Sequence, residues 1–249
     1  MENKGPHISI RPETLLTFQN FHITNTYVSS LIVIVVFLLL ALHYRLQAKK
    51  VNKSKLYYIL QFAFQGIYSF FKTVLGDKIE PVYPLIGSLF LYIMLSNWFG
   101  LLPGVGSVLI NVSAHEKEFI PLLRGSTTDL NVTLALALVA FFSIQYNGFK
   151  YLGAGGYLGK FFNFSNPISL IIGILEVISE FSRIISFSFR LFGNIFAGEV
   201  MLAIIAFLVP VLASFPFLVL EVFVGFIQGF VFAMLTAVFI NLAIQKAEH

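Results

Sequence analysis

Glu176, Glu180, Arg183, Arg190 and Glu199 all fall between Pro167 and Val209, a stretch that is otherwise free of charge and dominated by apolar residues. A charge inside a bilayer costs about 2.5–3.5 kcal/mol on insertion scales, so such groups persist only where they face water, protein or one another. On a helix, Glu176, Ser179, Glu180, Arg183, Ser186, Arg190 and Asn194 follow steps of three and four and form one polar stripe. Glu199 lies nine residues beyond Arg190, which at about 100° per residue is half a turn away. The acid therefore points to a different wall from the arginine. The next apolar stretch carries a second set: Glu221 and Gln228 share a face, and Gly225 and Gly229 form a GxxxG that admits a close neighbour. Folding the two stretches as a hairpin brings Gln228 level with Glu199 and Asn194, to within one turn, with Glu221 nearer the far end. A single intramembrane arginine is more often functional than structural, so Arg190 and the acids around it are the candidate site.

Plainer readings stand beside these. Glu180 and Arg183 also read as a buried structural ion pair, and Asn194 and Gln228 as interhelical hydrogen-bond partners. His22, His43 and His115 sit near interfaces or in loops, without metal-ligand spacing. The glycines of Gly153-Ala154-Gly155-Gly156 are not followed by the Lys-Ser/Thr of a phosphate-binding loop. No cofactor, metal, nucleotide or nucleic-acid partner is expected. A secondary transporter would show paired repeats or broken helices in both halves, and an intramembrane enzyme would need a metal set or an activated nucleophile. Neither pattern is present.

The elements that must hold these residues follow from composition. The chain is 57% hydrophobic and 11% charged, with a mean hydropathy of +0.86. Soluble domains carry about 25% charged residues, so this is a multi-spanning, all-α integral membrane protein of five to six helices. Residues 1–25 form an outer N-terminal segment and 26–46 the first span. Arg45, Lys49, Lys50, Lys53 and Lys55 follow that span and place 45–55 inside. Residues 56–75 carry a polar stripe of Gln61, Gln65, Ser69 and Lys72, expected of an amphipathic helix on the inner surface. Spans at 83–102 and 130–147 flank a charge-balanced outer loop with His115, Glu116, Lys117, Glu118, Arg124 and Asp129. Residues 147–166, with Lys150 and Lys160, form an inner connection. The hairpin follows as 167–209 and 217–245, its turn marked by Pro210 and Pro216. A helix of more than forty residues is roughly 60 Å long, twice the ~30 Å hydrocarbon core. It must break or lie strongly tilted.

The run from Ser186 through Arg190-Leu191-Phe192-Gly193-Asn194 to Ala197-Gly198-Glu199 closely resembles the signature of subunit a of rotary ATP synthases. Asn97-Trp98-Phe99-Gly100-Leu101-Leu102-Pro103-Gly104 resembles the end of that family's third helix, and Thr128-Asp129-Leu130-Asn131-Val132-Thr133 the opening of its fourth. Gln228 matches its polar position in the last helix. The position of Glu221 is often His in the family, so a Glu/His relay is not expected here. The Ala-Gly-Glu ending resembles bacterial members, which implies a bacterial plasma (inner) membrane.

The resemblance implies a stator subunit that performs no bond chemistry. Its two tilted helices would clamp a rotor ring of c subunits, and peripheral-stalk b subunits and the lipid bilayer complete its surroundings. Two offset aqueous half-channels would carry protons to and from the rotor carboxylates. Arg190 would face the rotor carboxylate, Glu199 and Glu221 would relay protons inward, and Asn194 and Gln228 would hold water or orient Arg190. Glu176, with Arg183 and Ser186, would line the exit.

Overall fold

The computed structural model describes residues 9–18, 21–76, 79–111, 119–161, 167–209 and 214–245. Among the described residues six α-helices carry the fold: α1 (Asn25–Ala48), α2 (Lys55–Leu75), α3 (Ile79–Gly100), α4 (Leu130–Phe161), α5 (Pro167–Leu208) and α6 (Ser214–Ile244). All but α2 are long and apolar enough to cross a membrane. The all-α expectation holds. Lys117, like the neighbouring loop charges His115, Glu116 and Glu118, lies outside the described residues, as do Pro210 and the terminal Lys246, Glu248 and His249.

Two short antiparallel hairpins were not expected. β1 (Thr14–Phe18) pairs with β2 (Phe21–Thr24), and β3 (Leu109–Asn111) with β4 (Phe119–Pro121). Both lie at the bundle end that carries the 101–129 segment, called here the loop end. Three of the helix starts, those of α1, α2 and α4, have a side chain that receives a free N–H group. Thr24 accepts from the N–H of Tyr27 at 3.2 Å, and Ser54 does the same for α2 at 3.2 Å. Asp129 accepts from the N–H of Asn131 at 2.9 Å and from the Thr26 hydroxyl at 2.8 Å, so one carboxylate opens α4 and ties it to α1.

Two boundaries differ from the sequence reading. The inner connection read at 147–166 is helical on both sides of a kink, as far as Phe161. Gly153 stands at the kink with φ 71° and ψ 164°, a backbone position that favours glycine, so one helical segment of α4 ends there and a second begins. Pro216 was read as part of the turn, but it lies in the first turn of α6, where its missing N–H leaves no bond unmade.

α6 occupies the centre of the bundle. Ala233, Ala237 and Ile240 are fully enclosed, packed with Ile86 and Phe90 of α3, Ile144 of α4 and Phe71 of α2, while Phe232 packs with Leu89 and Ile93 of α3, Ala137 of α4 and Phe187 of α5. Gly225 and Gly229 face α3, where an added Cβ would stand 3.0 Å from the Asn97 side chain and 3.2 Å from the Phe90 carbonyl. α5 is the contrasting element. It runs unbroken for 42 residues, roughly 60 Å at 1.5 Å per residue. It buries only Gly173, Phe187, Ser188, Leu191 and Gly198. The rest of α5 presents a long apolar face that includes Ile171, Leu175, Ile178, Phe181, Ile185 and Phe189.

Candidate functional site

The polar side chains of α5 and α6 fall into three levels. At the loop end a cavity of about 540 Å³ is lined by Glu13, Asn97, Arg124, Thr128, Glu199 and Glu221, among others. Glu199 is ion-paired to Arg124, whose Nε donates to its carboxylate at 2.9 Å. Glu221 is 5% exposed and, among the described residues, faces no paired base. Its carboxylate fills the space that a side chain on Gly198 would take. The two acids thus line one cavity, with Glu221 pressed against the residue immediately before Glu199. The hairpin register sets Glu221, not Gln228, level with Glu199.

Helix α3 braces this level. Asn97 donates through Nδ2 to the carbonyl of Gly225 at 2.9 Å, and the indole N–H of Trp98 donates to the carbonyl of Val222 at 2.9 Å. The Thr127 hydroxyl completes Asn97 by donating to its Oδ1 at 2.7 Å. These bonds hold the backbone one turn from Glu221, so the acid is aimed by α3 as well as by its own helix.

The middle level holds Arg190, Ser186, Asn194 and Gln228. Asn194 donates to Gln228 Oε1 at 2.7 Å, joining α5 to α6. Gln228 is buried, and among the described residues its Nε2 has no partner. Arg190 points the other way. It is exposed on α5 and donates to Ser186 Oγ at 3.3 Å. Among the described residues no carboxylate pairs with it.

At the far level Arg183 pairs with Glu180 at 2.8 Å, with side chains 17% and 13% exposed. Gln145 of α4 donates to Glu180 at 2.9 Å, and the buried Tyr157 hydroxyl donates to Gln145 at 2.7 Å. The Arg183 guanidinium stacks 3.8 Å over the Phe239 ring. This is a braced ion pair between three helices. Glu176 is half-buried one turn further. The sequence stripe therefore divides: Glu180 and Arg183 turn into the bundle, whereas Ser186, Arg190 and Asn194 stay exposed.

A family model described as ATP synthase A chain matches residues 26–241. The chain belongs to the ATP synthase A chain family. It is 36% identical over 185 residues to ATP synthase subunit a of Desulforamulus reducens, a match covering 70% of this chain and 62% of that protein. It is 35% identical over 196 residues to ATP synthase subunit a of Gloeobacter violaceus, covering 78% and 74%. The match thus spans less than two thirds of the length of the first relative.

Within this member of the family, Arg124 is the residue that sequence reasoning passed over. It was counted among balanced loop charges, whereas the fold buries it against Glu199. The available signal was charge demand: Glu199, alone on its helix face, needs a cation from another segment. Gly198 and Asn97 belonged to quoted motifs, but their structural tasks emerge only from the packing of α6.

Proposed function

We propose that this chain is the stator a subunit of an ATP synthase membrane sector and carries protons to and from the carboxylates of a rotor ring of c subunits. The observation that carries this reading is Arg190. It is a fixed positive charge with no carboxylate partner among the described residues. It stands on an unbroken helix twice as long as a bilayer is thick, flanked by exposed Ile185 and Phe189. A cation in that setting needs an anion from outside the chain, and a carboxylate moving past on a partner helix supplies one.

The chemistry follows from the cost of burying charge. A carboxylate enters lipid far more readily when protonated. Beside Arg190 its anion is favoured, so a rotor carboxylate gives up its proton there and takes one before leaving. Because a guanidinium does not release its own proton, Arg190 also blocks direct leakage between the two sides. The loop-end cavity with Glu199 and Glu221 is the outer half-channel, and the Asn194–Gln228 pair closes its inner limit. The exposed stretch from Ser186 toward Glu176 borders the exit, with Arg183 acting there only as a brace. The positive charges that follow the first span support a loop end on the outer side, and the Ala197-Gly198-Glu199 ending supports a bacterial plasma membrane. In this reading the chain itself makes no bonds, and peripheral-stalk b subunits hold it against the ring.

Arg190→Ala tests the reading. The complex is expected to assemble and to lose proton-driven ATP synthesis, measured in inverted vesicles together with the amount of chain in the purified complex. Synthesis retained in an assembled complex would refute it.

A further inference from the structure

Arg124 lies between β4 and α4, outside every helix, and is 8% exposed. A buried guanidinium needs an acceptor for each group of donors. Here they come from separate parts of the chain. Nε and Nη2 donate to the Glu199 carboxylate at 2.9 and 3.2 Å. Nη2 also donates to the carbonyl of Ser9 at 2.8 Å, and Nη1 to that of Arg11 at 3.4 Å. The backbone N–H of Arg124 donates to Ser29 Oγ at 3.2 Å, which fastens this residue to α1.

The pair is asymmetric. The Arg124 side chain is 9% exposed and the Glu199 side chain 40%, whereas both members of the Glu180–Arg183 brace are enclosed. The cation is fixed in the wall, and the carboxylate it holds opens onto the cavity that Glu221 also lines. A purely structural pair has no need to leave its acid facing free space.

We propose that Arg124 is a positioning residue for proton passage, holding the Glu199 carboxylate in the one rotamer that faces Glu221 across the loop-end cavity. This rests on the reading of that cavity as the outer half-channel. The N-terminal segment takes part through the Ser9 and Arg11 carbonyls, which keep the guanidinium from swinging after its partner. Two sp³ torsions with three wells each give Glu199 about nine rotamers. Released from Arg124, it spends roughly a tenth of its time in the held one, so proton flow is expected to fall about tenfold.

The test measures the initial rate of proton flow through the assembled complex in vesicles, normalised to the chain present. It compares Arg124→Gln, Arg124→Lys, Glu199→Gln and the double variant Arg124→Gln/Glu199→Gln. Arg124→Gln is expected to slow flow about tenfold and Arg124→Lys less, while Arg124→Gln adds no further loss once Glu199 is Gln. A full additional loss in the double variant, or wild-type flow in Arg124→Gln, overturns the proposal. Should Arg124→Gln fail to assemble, Arg124→Lys with and without Glu199→Gln carries the same comparison. The two readings fail differently. Wild-type flow in Glu199→Gln removes the half-channel itself, whereas slow Glu199→Gln with an independent Arg124 effect removes only the positioning role.

Discussion

Gly198→Ala is the smallest change that should disturb the outer acids, since it adds one methyl group where the Glu221 carboxylate now lies. α5 and α6 are both regular helices at this level, so the backbone has little room to yield. Glu221 is 5% exposed and lines the loop-end cavity beside Asn97 and Gly100 of α3. Overpacking of this kind costs about 1–3 kcal/mol, which corresponds to a population change of about 5- to 150-fold. The carboxylate is therefore expected to leave its place in most molecules, with proton flow reduced by at least fivefold. Glu221→Asp in the same chain withdraws the carboxyl by one methylene and should recover part of the loss, although Glu221→Asp alone should impair flow. The assay is the rate of fluorescence-monitored acidification of inverted vesicles, with chain content measured by quantitative blotting. Gly198→Ala at the wild-type rate, or no recovery on adding Glu221→Asp, would refute the steric argument.

Two further outcomes concern the braces. Glu180→Gln leaves the part-buried Arg183 guanidinium without its anion, a loss of about 1–3 kcal/mol for a charge-assisted bond in this setting. The chain should disappear from membranes faster in a chase experiment, and Glu180→Gln/Arg183→Met should persist longer than the single variant. Asn97→Ala removes the acceptor of the buried Thr127 hydroxyl and a donor to Gly225, costing about 1–3 kcal/mol. It should lower the thermal midpoint of the isolated complex, and Asn97→Asp should do no better because it sets an oxygen against the Gly225 carbonyl.

Much of the hairpin was legible because burying charge in lipid is costly and leaves a one-dimensional mark. Arg190 and Glu199 stand out in any reading of 167–209, and helical periodicity separates their faces. Asn194 and Gln228 could be matched across the turn by counting residues. The partner of Glu199 could not. Arg124 lies 75 positions away in a loop whose charges look solvated, and sequence spacing carries no information about which loop cation folds inward. The division of the polar stripe was hidden for a related reason. Glu180 and Arg183 leave the exposed face because Gln145 of α4, itself held by Tyr157, offers Glu180 a donor, a fact about a neighbouring helix. The hairpins β1–β2 and β3–β4 are too short for an alternating pattern to register.

The bonds from Asn97 and Trp98 end on main-chain carbonyls of α6, and this has a mechanical meaning. A carbonyl is part of the helix rod, so these contacts fix the axial position of α6 against α3 whatever side chains it carries. Sliding by one residue, about 1.5 Å, would break both at once. On the proposed reading, a rotor pressing sideways on α5 would send thrust through α6 into α3, where this latch opposes axial slip. The stiffness of such a track, and so how little of each step is lost to recoil, would then rest in part on two hydrogen bonds one level away from Arg190.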